Sequence, residues 1–106
     1  MNIQKLMKEA QKAQRQMAEI QEKIANMTVE GSAGGGLVTA TANGNGNLLK
    51  INIDESAIDP DDRELLEDLV MAAVNEAQRK AKELQEEEMS SVMGGMGGMG
   101  GMPGLF

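Results

Sequence analysis

The 106-residue sequence contains no cysteine, histidine, tryptophan or tyrosine, and its only aromatic residue is Phe106. Without cysteine it has no disulfide, no zinc-thiolate site and no thiol nucleophile. Without histidine it also lacks the commonest metal ligand and general base. Most classes of enzyme are therefore disfavoured. We expect a protein with no catalytic residues, no metal, no cofactor and no small-molecule substrate.

Long apolar runs are also absent. No segment approaches the roughly 20 apolar residues that cross a bilayer, and residues 1–10 lack the apolar centre of a signal peptide. We therefore expect a soluble, cytoplasmic protein that does not contact membranes. Its core must be built from aliphatic residues, methionine and alanine. Such a core is marginal in a monomer of this size, and oligomerisation is the obvious remedy.

The first 27 residues carry apolar side chains spaced alternately by three and four residues. We call this stripe the seam: Ile3, Leu6, Ala10, Ala13, Met17, Ile20, Ile24 and Met27. The spacing is that of a heptad repeat, and the residues between are good helix formers, so the pattern predicts a long helix. The seam can pair with a second copy of the chain or cover the chain's own sheet.

The period changes after Thr28. Three segments that alternate apolar and polar residues, 28–33, 37–42 and 47–54, are separated by Gly34-Gly35-Gly36 and by Asn43-Gly44-Asn45-Gly46. Glycine and Asn-Gly supply the positive φ of tight turns, so the pattern predicts a three-stranded antiparallel sheet. The triple glycine is not followed by Gly-Lys-Ser/Thr or directly by a helix, so a turn is favoured over a phosphate-binding loop.

A second long helix is predicted from the Asp59-Pro60 pair to about Met89. Asp59 can cap the helix and Pro60 suits its first position. The apolar stripe of this helix is broad in the first half, which can cover the sheet, and narrows to small residues later. Three acids, Glu86 to Glu88, lie where the helix dipole is negative, which is unfavourable unless that end frays or meets a basic partner. Of these two interpretations we favour fraying.

The sequence thus predicts a single α+β domain over residues 1–89, with a three-stranded antiparallel sheet between two long helices. Residues 93–102 read MGGMGGMGGM, and a glycine-rich repeat of this kind cannot recover its ordering entropy by burial. Residues 90–106 are therefore predicted to be a flexible Gly/Met-rich tail. Its thioethers could bind a soft ion such as Cu(I), but without cysteine or histidine we expect no metal site.

Charge is segregated along the chain. Residues 1–27 carry five bases and three acids, whereas residues 54–88 carry four bases and thirteen acids. Four cations of the first helix fall on the side opposite the seam, over about 15 Å of helix. We call them the basic row: Lys5, Lys8, Lys12 and Arg15. A row of this kind is either a solvated helix face or a grip on nucleic-acid phosphates.

A phosphate grip would tolerate any base sequence and would weaken steeply with salt. Base stacking on RNA is disfavoured because aromatic residues are nearly absent. Secondary candidates on the second helix are Arg79, Lys80 and Lys82, which can instead pair with Glu76, Glu83 or Glu86. The competing hypothesis is a protein-interaction or chaperone-like adaptor that uses the methionine-rich seam and tail.

The order of these motifs resembles the YbaB/EbfC family of bacterial nucleoid-associated proteins. The resemblance is carried by GGGLVTATANGNG, residues 34–46, and by INIDESAIDPDDRELLEDLVMAAVNEAQRKAKE, residues 51–83, and it spans nearly the whole chain. It implies a homodimer of α-β-β-β-α protomers with projecting helical arms. It also implies double-stranded DNA as the partner, a location in the nucleoid, an effect on gene expression, and no catalysis or cofactor.

Only structural positions carry over from the family: Gly34, Gly35, Gly36 and Gly44 for turns, and Leu65, Leu69 and Ala73 for packing. Relatives often have a basic residue in the strand after the triple glycine, where this chain has Thr39. The prediction for DNA contact therefore rests on the basic row.

Overall fold

The structure is a computed structural model that describes residues 2–95, with side chains described for residues 2–91. The order of elements is helix, three strands, helix, as the sequence predicts. The elements are α1 (Ile3–Asn26), β1 (Thr28–Ala33), β2 (Val38–Asn43), β3 (Leu48–Ile53), a 3-10 turn (Glu55–Ala57) and α2 (Arg63–Gly95). The larger part of the predicted tail, residues 96–106, lies outside the described residues.

The three strands form one antiparallel sheet in the order β1-β2-β3. Ala40 pairs with Gly31 on one side and with Ile51 on the other, which places these three residues on the same face. Val38, Ala40 and Ala42 of the central strand are completely buried, so the predicted alternation of β2 is confirmed. The pairing of β2 with β3 shifts at Thr41 and Ala42, and this leaves an extra residue in β3.

Both turns of the sheet depend on glycine, but not every glycine is required for the expected reason. Gly34, Gly35 and Gly36 all have positive φ, as the hairpin prediction requires. In the second turn only Gly46 does, with φ of 86°. Gly44 is needed for space instead, because a Cβ there would collide with the backbone oxygen of Ile24 at the end of α1.

Helix α2 packs across β1 and β2 through small residues. Ala73, Ala77 and Ala81 are buried, and the backbone of β1 at Gly31 lies directly against Ala73 and Ala77. Leu66, Leu69, Val70 and Val74 pack around this contact. The first half of α2 thus covers the sheet, as its apolar stripe predicts. Leu65, which was also expected to pack, is 51% exposed.

The start of α2 lies later in the chain than Asp59-Pro60 predicts. Asp59 caps a preceding turn instead, accepting a hydrogen bond from the backbone N–H of Asp61 at 2.9 Å. The helix begins at Arg63, and the Asp62 carboxylate accepts a hydrogen bond from the backbone N–H of Leu65 at 3.3 Å. A chain with three candidate capping residues close together does not indicate locally which one the helix uses.

We expect Asp62→Ala to lower the free energy of unfolding by about 1 kcal/mol, because the mutation leaves a backbone donor of the first turn without its partner. Urea denaturation followed by circular dichroism measures the change. Asp61→Ala is the matched control, since the Asp61 side chain accepts no cap hydrogen bond. Equal losses in the two variants would contradict the assignment of Asp62 as the cap.

Among residues 2–95, the contacts of α1 with the body are made by its C-terminal half. Ile20 and Ile24 of the seam are buried, whereas Ile3 and Leu6 are 67% and 50% exposed. The sequence left two alternatives for the seam, pairing with a second copy and packing against the chain's own sheet. Within the described residues, the C-terminal half of the seam packs against the chain's own body and the N-terminal half does not. The protein is elongated, with principal dimensions of 73 × 27 × 15 Å. The N-terminal half of α1 forms an arm that projects from one end of the sheet.

The α1–α2 junction explains the acidic cluster near the end of α2. Lys23 forms an ion pair with Glu88 at 3.1 Å, so one of the three glutamates has a basic partner. The helix then continues to Gly95, past the expected end near Met89. Fraying at Glu88, the favoured interpretation of the sequence, is therefore wrong.

Candidate nucleic-acid interface

The basic row lies along the projecting half of α1. Asn2 caps the helix by accepting a hydrogen bond from the backbone N–H of Lys5 at 3.2 Å. All four side chains of the row are exposed: Lys5, Lys8, Lys12 and Arg15. Within the part of the chain whose side chains are described, none of the four is in an ion pair. Their charges are therefore directed to solvent.

The positive charge of the basic row stops abruptly after Arg15. The next positions on the same face of α1, toward the body, are Glu19 and Glu22, so the charge of this face changes sign where the helix approaches the sheet. The first turn contains no acid, and the positive end of the helix dipole adds to Lys5 and Lys8. The positive potential is therefore concentrated on the distal part of the arm.

A cluster of acids lies at the end of the sheet opposite the arm. Helix α2 begins beside the Val38 end of β2, and α1 joins at the opposite end of that strand, where Gly44 donates a hydrogen bond to the carbonyl of Ile24 at 3.1 Å. Acids crowd the start of α2: Asp59, Asp61, Asp62, Glu64, Glu67 and Asp68. The start of α2 thus concentrates negative charge at the end of the sheet opposite the arm.

The secondary candidates are placed in the body, away from the basic row. Arg79 forms an ion pair with Glu83 at 2.6 Å. Lys80 pairs with Glu76 at 3.2 Å and also donates a hydrogen bond to the carbonyl of Glu30 at 2.9 Å. Both cations thus have acidic partners four residues away, the alternative that the sequence left open.

Lys82 differs from these two cations. It is exposed, and it lines a shallow groove with Gln78 and Gln85, whose amides donate to the carbonyls of Gly46 and Gly44 in the β2–β3 turn. Among the described side chains it has no ion-pair partner. Of the three secondary candidates, Lys82 is therefore the one that forms no ion pair among the described side chains.

Lys23 is not among the residues predicted from the sequence, although its heptad position indicates a contact between helices. It occupies the heptad position next to the seam, which typically forms ion pairs between helices. The ion pair with Glu88 places it in the junction of the arm with the body. In the described part of the chain, Lys23 therefore connects the arm to the body and is not free to bind phosphate.

Other kinds of site find little support in residues 2–95. This part of the chain contains no group of three or more acids arranged to hold a metal ion. A cleft of about 300 Å³ at the junction is lined by Gln21, Ile24, Asn45, Gln85 and Met89. Amide and apolar side chains of this kind provide no acid–base pair. The described helices include none that is long and apolar enough to span a bilayer.

Asp54, in the turn that follows β3, has a lowered pKa. Asp54 accepts hydrogen bonds from the hydroxyl of Ser56 at 2.6 Å and from its backbone N–H at 2.9 Å. These bonds favour the carboxylate and lower the pKa of Asp54. The shift belongs to the 3-10 turn that connects β3 to α2, and it has the structural role of a cap.

The fold and the charged arm define an α-β-β-β-α protein whose distinguishing feature is an exposed cationic helix. The profile of the YbaB/EbfC DNA-binding family matches residues 1–96, and the chain belongs to this family. It is a DNA-binding family rather than an enzyme family.

Curated relatives extend the similarity over most of the chain. A nucleoid-associated protein of Saccharopolyspora erythraea is 51% identical over 104 residues, which cover 98% of this chain and 90% of that protein. One of Acetivibrio thermocellus is also 51% identical, over 89% of this chain and 83% of that protein. The crystal structure of protein HP0035 from Helicobacter pylori matches the fold, with a TM-score of 0.75 and 22% identity, over 88% of this chain and 98% of that chain.

Proposed function

We propose that the protein binds double-stranded DNA in the bacterial nucleoid as a homodimer, through the phosphates and largely without regard to base sequence. The observation that carries the proposal is the basic row on a projecting helix, in a chain of a DNA-binding family. Its four cations are exposed and form no ion pair with any side chain that the structure describes. The names of its curated relatives point to the nucleoid. An effect on gene expression would follow from occupancy of DNA.

Backbone contact is the mode that the residues support. Lysine and arginine on one helix face attract phosphates but, without amide or aromatic neighbours placed to read base edges, carry little sequence information. The acids at the far end of the sheet repel the duplex, so the electrostatic field directs DNA to the arm. Lys82 can add a weaker contact near the β2–β3 turn.

The protomer has features of one half of a dimer. Six of the nine buried apolar residues in the described part of the chain are alanines, and the largest completely buried side chain is Val38. Such a core contributes little burial. Meanwhile β3 is a free edge on which Leu48, Leu49 and Ile51 are 42%, 57% and 40% exposed. An exposed apolar edge strand is normally covered, because it otherwise recruits other chains.

A second copy fits this edge. Antiparallel pairing of a strand with its own copy has two-fold symmetry, which is the usual symmetry of homodimers. Met71 of α2 adds apolar surface on the same side, because it lies two turns before Gln78, whose amide reaches the β2–β3 turn. The dimer would then carry two arms, and two basic rows would contact one duplex or bridge two.

We expect Ile51→Asp to raise the dissociation constant of the dimer by at least about a hundredfold, since pairing would bury an unpaired charge. Sedimentation velocity over a concentration series measures the change. Asn52→Asp adds an aspartate to the opposite face of the same strand and should leave the dimer intact. A wild-type protein that stays monomeric, or equal behaviour of both variants, would contradict the proposed interface.

Salt dependence tests the DNA contact directly. Binding of a labelled random-sequence duplex, measured by fluorescence anisotropy, should weaken with a slope of log K against log salt of roughly −4 to −7, if about four to eight phosphates are neutralised per dimer. A protein-interaction module that captures apolar surface would show no such slope. Absence of binding at low salt would favour that second function, for which the exposed apolar residues of the arm would be the contact.

A further inference from the structure

The arm carries an apolar surface that the described part of the chain leaves uncovered. Ile3, Leu6 and Met7 are 67%, 50% and 58% exposed, and Ala10 is exposed beside them. These residues continue the line of Ile20 and Ile24, which is buried at the junction. The surface faces away from the basic row, so phosphate binding does not account for it. We call it the distal seam.

We propose that the distal seam is the docking site of the chain's own C-terminal segment, residues 96–106. The end of α2 is directed toward this surface. Glu88 lies opposite Lys23, and the junction cleft brings Gln85 and Met89 together with Ile24 and Gln21. Helix α2 therefore runs antiparallel to α1 toward the arm, and its described end, Gly95, lies on the side of the body from which the arm projects.

The segment is long enough to cover this surface. From a point opposite Lys23, the seven residues from Glu88 to Gly95 carry α2 about 10 Å along the arm, since each helical residue advances 1.5 Å. Ile3 then lies roughly 20 Å further along α1. The residues after Gly95, with about 3.1 Å per residue when extended, can span roughly 30 Å. This length exceeds the distance to the tip of the arm.

The methionine spacing of the segment matches the repeat of α1. Met96, Met99 and Met102 recur every three residues. In an extended polyproline-type chain every third side chain points the same way, about 9 Å apart. Ile3 and Ala10, the ends of the distal seam, are one heptad or about 10.5 Å apart. Two successive methionines can therefore contact the two ends of the distal seam, while the glycines between allow the backbone to approach the helix closely. Methionine is also the apolar side chain best able to fill an irregular groove.

The small size of the distal seam favours a tethered occupant over a second copy. It has only three large apolar side chains and ends at Ala10, which is followed on the same line by the half-buried Ala13, so two such seams would bury little area against each other. A segment that is already attached at Gly95 has a millimolar effective concentration, and a weak contact then suffices. Docking of the segment is independent of DNA, so it stands or fails apart from the proposed function.

Disulfide trapping tests the proposal cleanly because the chain has no cysteine of its own. In the full chain, Ala10→Cys combined with Met99→Cys places one thiol on the distal seam and one in the docked segment. The matched control combines Lys12→Cys with Met99→Cys, which moves the first thiol to the opposite side of the arm. We expect the within-chain disulfide of the first variant to form about tenfold faster under a glutathione redox buffer, since only docking raises its effective concentration.

Two results would overturn the proposal. Equal rates in the two double variants would mean that the segment does not prefer the seam. Rapid formation of a between-chain disulfide in the single variant Ala10→Cys would mean that a second copy occupies the seam instead. Hydrogen exchange gives an independent measurement, because replacing Met96, Met99 and Met102 by serine should speed amide exchange in residues 3–12 by about tenfold and leave β2 unchanged. Unchanged exchange in the arm would count against docking.

Discussion

Reversal of the basic row, with Lys5, Lys8, Lys12 and Arg15 all replaced by glutamate, should abolish DNA binding and leave the fold intact. Each substitution removes an attraction to phosphate and adds a repulsion, and a dimer carries the change twice. We expect affinity to fall by at least about a thousandfold at low salt, with loss of the salt dependence. Anisotropy with a random-sequence duplex measures the binding, and circular dichroism checks the helix content.

Net charge alone could weaken binding, so a matched pair of variants is needed. Lys5→Glu with Lys12→Glu changes the charge by the same amount as Lys50→Glu with Arg63→Glu. The first pair lies on the arm, and the second lies on the sheet and at the acidic start of α2. We expect the first pair to weaken binding at least about tenfold more than the second. Equal losses would place the DNA contact outside the arm.

The basic row could be predicted from sequence because helical geometry is local. Four cations spaced by three, four and three residues fall on one face of any regular helix, and the seam fixes which face is opposite. The pairing of Arg79 with Glu83 and of Lys80 with Glu76 follows from the same short-range geometry. What the local pattern does not contain is the projection of the arm, since this depends on where α1 meets the body.

The apolar face of β3 shows the same limit. Leu49, Ile51 and Ile53 alternate with polar residues, which predicts a strand with one core face. The strand is there, but Ile51 is 40% exposed and Leu49 is 57% exposed. The alternation identifies the face, whereas burial depends on whether α2 lies above it, and α2 lies over β1 and β2. Contacts across long sequence distances, such as Lys23 with Glu88, are equally invisible to the periodicity of either helix.

The close packing of α2 on β1 leads to the second prediction, a large loss of stability on mutation of Gly31. At Gly31 the strand backbone approaches α2 so closely that a Cβ would collide with the backbone oxygen of Ala73 and the backbone nitrogen of Ala77. We expect Gly31→Ala to lower the free energy of unfolding by about 3 kcal/mol or more, because helix and strand must separate to admit one methyl group. Urea denaturation at a fixed protein concentration measures the loss.

Two controls separate the collision from other effects of removing a glycine. Ser32→Ala changes the exposed neighbour in β1 and should shift stability by less than about 0.5 kcal/mol. Gly35→Ala meets nothing within 4 Å but has φ of 69°, so it should lose only about 1 kcal/mol through backbone strain. Because the colliding atoms at Gly31 are backbone atoms, Ala77→Gly should not rescue Gly31→Ala. Rescue, or a loss no larger than that of Gly35→Ala, would mean that α2 can move away from β1 at little cost.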